Sequence, residues 1–138
     1  MMTDRELIAL AIEARKNAYI PYSHYAVGAA LIAGSGKVYT GCNIENAAYG
    51  PTNCAERTAI FKAVSEGERE IKVLAVVAAP ESQSAPFGSY ALPCGVCRQV
   101  MSEFAADGMR VLLAKSEDDY LDMSIDEILP LRFSSKEL

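Results

Sequence analysis

Three cysteines and one glutamate have the residue types and spacing of a metal-dependent catalytic site. Cys54 and Glu56 stand in the segment NCAER, and Cys94 and Cys97 stand in PCGVC. Residues i and i+3 share one face of a helix, so the sulfurs of Cys94 and Cys97 can reach one point. Three thiolates bind Zn²⁺ well and leave a fourth position open, as catalytic zinc sites require. These residues therefore predict a zinc site beside a carboxylate.

Cys54 and Glu56 are only two residues apart, which restricts how both can face one metal ion. In a regular helix, residues two apart point to nearly opposite sides. We therefore expect Cys54 to lie at the helix cap, outside regular helical geometry, with Glu56 acting as a base and not as a ligand. The N–H groups and partial positive charge of a helix N-terminus favour a thiolate there.

The composition is that of an ordinary globular protein that does not bind nucleic acid. The chain has 138 residues, which fits a single domain over 1–138, and 51% of them are hydrophobic. The net charge is −5, and no cluster of Lys and Arg is present. Nucleic-acid binders need such a cluster because phosphate neutralisation supplies much of their affinity. A free nucleoside remains a possible ligand because it carries no phosphate.

The sequence also predicts a cytoplasmic protein that does not enter a membrane. The N-terminal segment MMTDRELIALAIEARKN lacks an apolar signal core, and no apolar run approaches the length of a membrane span. Thiols stay reduced in the cytosol, so four cysteines indicate metal ligands or buried thiols before disulfides.

Helices alternate with strands along the chain. Thr3 and Glu6 form a capping box before an amphipathic pattern, and Ser124 with Glu127 caps a last short helix. We expect helices over 4–19, 54–66 and 94–106, strands over 25–33, 37–44, 73–79 and 109–114, and a loop over 80–92. This order predicts a three-layer α/β/α sandwich around a mixed sheet of about five strands.

A Cys-x-Glu followed by Pro-Cys-x-x-Cys is the cysteine-rich form of the zinc deaminase signature. The segments that extend this likeness are, in order, YSHYAVGAAL, GCNIENAAYG, NCAERTAIFKAVSEG, PCGVCRQV and LPLRFSS. With these segments the chain resembles a cytidine deaminase of the small, homotetrameric, three-cysteine type. The resemblance implies hydrolytic deamination of cytidine and 2′-deoxycytidine to uridine and 2′-deoxyuridine with release of ammonia, as in pyrimidine salvage.

The same resemblance assigns roles at the metal. Cys54, Cys94 and Cys97 would bind one Zn²⁺ per chain, with water as the fourth ligand. Glu56 would take a proton from that water and deliver protons to N3 and to the departing amine. Arg57 would hydrogen-bond the sulfurs and offset the excess negative charge of three thiolates.

The resemblance further implies substrate contacts and a shared active site. Asn43 and Glu45 would contact the sugar 3′-hydroxyl, and Tyr25 would pack against the nucleoside. Groups equivalent to Ala47 and Tyr49 come from a neighbouring subunit in this family. An aromatic residue equivalent to Phe133 closes the pocket from another subunit.

Three departures from the family concern substrate range. Tyr25 stands where phenylalanine is common, and Leu92 stands where a serine is usual; the loop over 80–92 is also long. One alternative is therefore a deaminase of another cytosine compound, such as a nucleoside antibiotic. Another is a non-catalytic zinc protein with a fourth ligand from Cys42. His24, the one histidine, is expected to be exposed and not a ligand.

Overall fold

Four α-helices and five β-strands follow one another in a computed structural model that describes residues 2–138. They are α1 (Asp4–Ala14), β1 (Tyr25–Ala33), β2 (Val38–Cys42), α2 (Ala55–Ser65), β3 (Ile71–Pro80), α3 (Gly95–Glu103), β4 (Ala105–Ser116), β5 (Asp119–Ser124) and α4 (Ile125–Ile128). Two short 3-10 helices, Arg15–Asn17 and Ser135–Glu137, follow α1 and α4. None of the helices in residues 2–138 is long and apolar enough to cross a membrane.

The strands form one mixed sheet in the order β2-β1-β3-β4-β5. Only β3 and β4 run parallel, and the other neighbours are antiparallel. Helix α1 packs on one face of the sheet, and the core of the other face includes residues of α2, α3 and α4. The predicted three-layer α/β/α sandwich around a mixed sheet is therefore confirmed.

Two glycines allow helices to approach the sheet closely. A Cβ at Gly28 of β1 would lie 2.0 Å from the carbonyl oxygen of Ala11 in α1. A Cβ at Gly41 of β2 would lie 2.6 Å from the carbonyl oxygen of Ala55 in α2. Since such distances are far below van der Waals contact, only glycine fits at either position. The contact at Gly41 fixes the first turn of α2 against the sheet.

Helix α1 begins as predicted and ends earlier than predicted. Both hydrogen bonds of the capping box between Thr3 and Glu6 are present. The regular helix ends at Ala14, however, and the 3-10 turn ends at Asn17, not at residue 19. Tyr19 instead donates its N–H to the carbonyl oxygen of Asn43 at 3.0 Å and bridges Ile44. A tertiary backbone contact thus replaces the last helical turn.

The region after α3 also differs from the prediction. The helix expected over 94–106 ends at Glu103, and β4 begins at Ala105 instead of residue 109. Ala105 pairs with Ile71 of β3, so parallel sheet formation takes the residues that helical periodicity would have continued. The sequence alone does not reveal strand β5, because its acidic residues obscure the alternation of apolar and polar residues expected of a strand.

Candidate metal centre and active site

Cys54 is the N-cap residue of α2 and lies outside the helix proper. Its backbone is extended, with φ −78° and ψ 154°, and Ala55 is the first helical residue. This is the geometry that the two-residue spacing of Cys54 and Glu56 requires. The next turn of the chain carries Glu56 towards the same cavity that Cys54 lines.

Cys94 caps α3 in the same way, with φ −69° and ψ 165°. The N–H of Cys97 donates to Cys94 Sγ at 3.4 Å, which holds the sulfur at the helix N-terminus. Two helix N-termini thus converge on one point. Both present backbone N–H groups and partial positive charge to the sulfurs that meet there.

The three sulfur atoms form a cluster of the right size for zinc. The Sγ atoms of Cys54, Cys94 and Cys97 all lie within 4.8 Å of one another, and those of Cys54 and Cys94 are 3.9 Å apart. A tetrahedral ion with Zn–S bonds of about 2.3 Å holds two sulfurs about 3.8 Å apart. All four cysteines are free thiols, and Cys42 does not belong to this cluster.

The charges around the sulfurs favour a thiolate at Cys54 and oppose a second thiolate at Cys97. A hydrogen bond from Cys97, followed by the hydrogen bond and charge of Arg57, lowers the pKa of Cys54 to about 5 despite partial burial. The hydrogen bond to Cys54 and desolvation raise the pKa of Cys97. A thiolate at Cys97 beside that of Cys54 therefore needs a compensating cation, which Zn²⁺ would provide. The donor set thus fits zinc.

Arg57 brings its guanidinium group to the cluster. Its Nη2 donates to Cys54 Sγ at 3.2 Å. Its Nε is the one buried side-chain nitrogen or oxygen in residues 2–138 that has no hydrogen-bond partner. The cationic group is thus held at the thiolates by the first turn of α2, one residue after Glu56.

Glu56 is buried, with 4% of its surface exposed. Desolvation is the main cause that raises its pKa to about 7, and the charge of Cys54 adds to this effect. Its side chain lines a cavity of about 200 Å³ together with Cys54 and Cys94. A carboxyl group that titrates near neutral pH beside a metal can both accept and donate a proton.

Residues from β1, β3 and the loop before α3 form the walls of this metal cavity. Tyr25 and Leu92 lie at its exposed side, with 44% and 70% of their surfaces accessible. Asn43 also lines the metal cavity. Its side-chain amide bonds the backbone of β1 twice, accepting from the Val27 N–H and donating to the Tyr25 carbonyl oxygen, both at 2.9 Å. Sequence reasoning had not identified the other walls, which are Val27, Thr52, Asn53, Val76, Ala78 and Ala91.

Glu45 lies in a neighbouring cavity of about 330 Å³ and does not line the metal cavity. Thr52 lines both cavities, so they adjoin. Tyr49 lines the second cavity and is 83% exposed, and Ala47 is exposed in the same loop. The second cavity also includes Ser23, which the sequence alone does not single out as a site residue.

Within one chain, Phe133 and His24 stand apart from the metal cavity. Phe133 is 59% exposed near the C-terminus, where its carbonyl oxygen accepts from Gln99 Nε2 at 2.9 Å. His24 is exposed, as expected, and its Nδ1 lies 2.9 Å from the carboxylate of Glu81. The single chain brings Arg57, Asn43 and Tyr25 together with the three cysteines and Glu56. Glu45 and Tyr49 line the adjoining cavity, and Ala47 and Phe133 are exposed outside both cavities.

Comparisons with a family model, with related sequences and with a solved structure agree with one another. Residues 1–113 match the family described as the cytidine and deoxycytidylate deaminase zinc-binding region. A cytidine deaminase of Sporosarcina psychrophila is 49% identical over 137 residues, which cover 99% of this chain and 96% of that protein. The crystal structure of a cytidine deaminase from Burkholderia pseudomallei superposes with a TM-score of 0.85 at 43% identity, covering 96% of this chain and all of the other. A blasticidin-S deaminase of Bacillus cereus is 30% identical over 132 residues, which cover 95% of this chain and 92% of that protein.

Proposed function

The chain belongs to the family of cytidine and deoxycytidylate deaminases that carry a zinc-binding region, and from this premise we propose that it deaminates free cytidine and 2′-deoxycytidine. The products are uridine or 2′-deoxyuridine and ammonia. The observation that carries this proposal is the cluster of three sulfurs beside the buried carboxyl of Glu56 in one cavity.

Cys54, Cys94 and Cys97 hold the metal in this proposal. Zn²⁺ bound there supplies Lewis-acid activation of water. Glu56 accepts one proton from the attacking water and donates it to N3 of the cytosine ring. It then accepts the second proton from the new hydroxyl group at C4 and donates it to the departing amino group. The water oxygen thereby replaces the amino group at C4, and ammonia leaves. Burial of Glu56 suits it to this work because it raises its pKa to about 7, close to the working pH.

Neutral nucleosides suit this site better than nucleotides. Asn43 and Glu45 lie on the segment that leads away from the metal cavity, and we assign them to the sugar hydroxyls. A carboxylate accepts a hydrogen bond from a hydroxyl and repels a phosphate. The protein's net charge of −5 also disfavours the binding of a negatively charged nucleotide.

The complete enzyme in this proposal is a cytoplasmic homotetramer of single-domain chains that serves pyrimidine salvage. Ala47 and Tyr49 complete the active site of a neighbouring subunit, and Phe133 closes a pocket from another. The exposure of Tyr49 and Phe133 supports this arrangement, since each has another exposed hydrophobic residue nearby, Tyr22 in the same cavity as Tyr49 and Leu131 two positions before Phe133. Exposed hydrophobic side chains grouped in this way commonly mark contact surfaces.

A second candidate function is deamination of a larger cytosine compound. The exposed, apolar Leu92 and the half-exposed Tyr25 at the cavity mouth favour it, as does the similarity to a blasticidin-S deaminase. The non-catalytic alternative with four cysteine ligands has lost its support, because Cys42 lies outside the sulfur cluster.

Turnover of competing substrates by the zinc-loaded protein tests this proposal. We expect cytidine and 2′-deoxycytidine to lose absorbance at their long-wavelength band as they become uridine nucleosides. Deoxycytidylate and blasticidin S serve as the competing compounds. Faster turnover of blasticidin S than of cytidine would select the second candidate, and faster turnover of deoxycytidylate would contradict the proposed preference for free nucleosides.

A further inference from the structure

The carboxylate of Glu45 is held by three donors from one short turn. Glu45 Oε1 accepts from the backbone N–H groups of Tyr22 and Ser23, both at 3.1 Å. Glu45 Oε2 accepts from the hydroxyl of Ser23. An ionised carboxylate offers about four acceptor positions, so this arrangement leaves about one of them for a further donor.

The Ser23 hydroxyl also connects Glu45 to the wall of the metal cavity. While it donates to Glu45, it accepts from the backbone N–H of Tyr25 at 3.0 Å. Tyr25 begins β1 and lines the metal cavity, and its carbonyl oxygen accepts from Asn43. The Ser23 hydroxyl therefore connects Glu45 to Asn43, the two residues assigned to the sugar, by way of the Tyr25 backbone.

The turn that carries Ser23 is itself fixed to the sheet. His24 has a left-handed backbone with φ 56°, directly before β1 begins at Tyr25. The N–H of Glu81, just after β3, donates to the His24 carbonyl at 2.8 Å, and the two side chains also contact each other. The donors that hold Glu45 are thus supported by the ends of two strands.

The position of Glu45 suits a hydroxyl that extends from the metal cavity. Its cavity adjoins the metal cavity at Thr52 and is lined by further polar residues, among them Ser23 and Asn46. The same hydrogen bonds to Ser23 and Tyr22 lower the pKa of Glu45, which keeps it an acceptor at neutral pH. A carboxylate fixed in advance loses less side-chain entropy when the hydroxyl binds.

We propose that Ser23 is the positioning residue for Glu45 and thereby sets the preference for nucleosides with a free 3′-hydroxyl. The proposal rests on the proposed function, because it concerns how that substrate is recognised. Ser23 itself contacts neither the reacting atoms nor the metal. It acts through the orientation of Glu45, so its removal weakens only the interaction with the sugar hydroxyl.

The test compares kcat and KM for cytidine and for 3′-deoxycytidine in Ser23→Ala, Ser23→Thr and the unaltered enzyme. For Ser23→Ala we expect kcat/KM on cytidine to fall about fivefold to tenfold, mainly through KM, as the loss of one well-placed hydrogen bond implies. The value on 3′-deoxycytidine should be nearly unchanged. Ser23→Thr keeps the hydroxyl and should retain most of the preference for cytidine.

The chain offers a matched control in Ser35. Its hydroxyl donates to the carboxylate of Glu68 and accepts from the N–H of Lys37, two residues later, which repeats the arrangement at Ser23 away from the site. Ser35→Ala should leave both kcat/KM values unchanged. Zinc content and the affinity for uridine against 3′-deoxyuridine provide readouts that do not depend on turnover.

Three results would overturn the inference in distinguishable ways. An equal loss on both substrates in Ser23→Ala would mean that Ser23 only supports the fold. An unaltered enzyme that does not distinguish cytidine from 3′-deoxycytidine would remove Glu45 from sugar recognition, although deamination would stand. Failure of the unaltered enzyme to deaminate either compound would overturn the proposed function as well.

Discussion

Arg57 stands where a single positive charge can adjust the reactivity of a thiolate-rich metal site. Three thiolates outweigh the two positive charges of Zn²⁺ by one, which weakens the ion as a Lewis acid. The hydrogen bond from Arg57 Nη2 to Cys54 Sγ draws charge from one sulfur. Groups that hydrogen-bond metal ligands commonly affect metal affinity or activity by about 10-fold to 100-fold.

Replacing Arg57 by glutamine should therefore lower kcat by about 10-fold to 100-fold and weaken zinc retention against a chelator. Steady-state kinetics and zinc content measured at equal chelator concentration would test this expectation. Arg69→Gln is the matched control, because Arg69 follows the same helix and bonds only backbone carbonyls near its end. Equal kinetics and equal zinc retention in the two variants would show that Arg57 does not adjust the site.

At the scale of elements, one buried arginine holds the chain segments that frame the cavity. Arg15 follows α1 and is 8% exposed. Its guanidinium lies 4.7 Å from the centre of the Phe87 ring and is bonded to backbone carbonyls at the start of β1, at the end of β3 and in the loop after β3. Those acceptors are Ala26, Ala79, Pro80 and Gln83, at 3.1, 2.9, 2.5 and 3.2 Å.

Arg15→Met should destabilise the protein by about 2–4 kcal/mol, since it leaves buried carbonyls without their donors. Arg15→Lys should recover part of this loss, because an ammonium group can still donate to some of the carbonyls. Denaturant unfolding of the zinc-loaded proteins measures both. Lys16→Met is the control, as Lys16 is exposed and pairs only with Glu13 at 2.9 Å. If Arg15→Met were as stable as Lys16→Met, the loop would not depend on Arg15.

The sequence predicted elements best where local signals and tertiary contacts agree. Strand β1 was predicted over its full length, Tyr25–Ala33, because its apolar run is bounded by turn residues. Helix α3 was predicted too long because Ala105 has helical spacing, yet it pairs with Ile71. Local patterns carry no information about which distant strand a segment will join.

At the metal and sugar sites, too, local patterns could be predicted from the sequence, whereas contacts between distant residues could not. The spacing of Cys54, Glu56, Cys94 and Cys97 was enough to predict the sulfur cluster, because each cysteine pattern begins a helix. The bond between Ser23 and Glu45 links residues 22 positions apart, and the bonds of Arg15 reach 68 positions along the chain. Neither pair belongs to one element, so periodicity and capping rules could not reveal them.

At the scale of the whole molecule, two groups of exposed large hydrophobic side chains bear on the assembly of the protein. One includes Tyr19, Tyr22, Ile44 and Tyr49, which are between 45% and 83% exposed. The other is near the C-terminus, where Leu131 is fully exposed and Phe133 is 59% exposed. Exposed apolar side chains grouped in this way are typical of contact surfaces, which agrees with the proposed tetramer.

Mixing two inactive variants tests whether Tyr49 acts on a neighbouring subunit. Glu56→Gln lacks the proton carrier but retains Tyr49. Tyr49→Ala retains Glu56 but lacks the tyrosine side chain. If Tyr49 acts across the interface, co-refolded mixtures contain sites with both groups and regain activity that neither variant shows. Hybrid tetramers without any recovery would place Tyr49 in the active site of its own chain or outside any active site.

Turnover of cytidine by Glu56→Gln, measured together with its zinc content, tests whether Glu56 carries protons beside a zinc ion held by the three cysteines. We predict that turnover falls by about 100-fold to 10,000-fold, as loss of a general acid–base group implies, while about one zinc per chain remains bound to the three cysteines. Glu66→Gln, at the opposite end of α2, should behave like the unaltered protein. Turnover that survives in Glu56→Gln would remove Glu56 from the chemistry, and loss of the zinc would make it part of the metal site instead of the proton carrier.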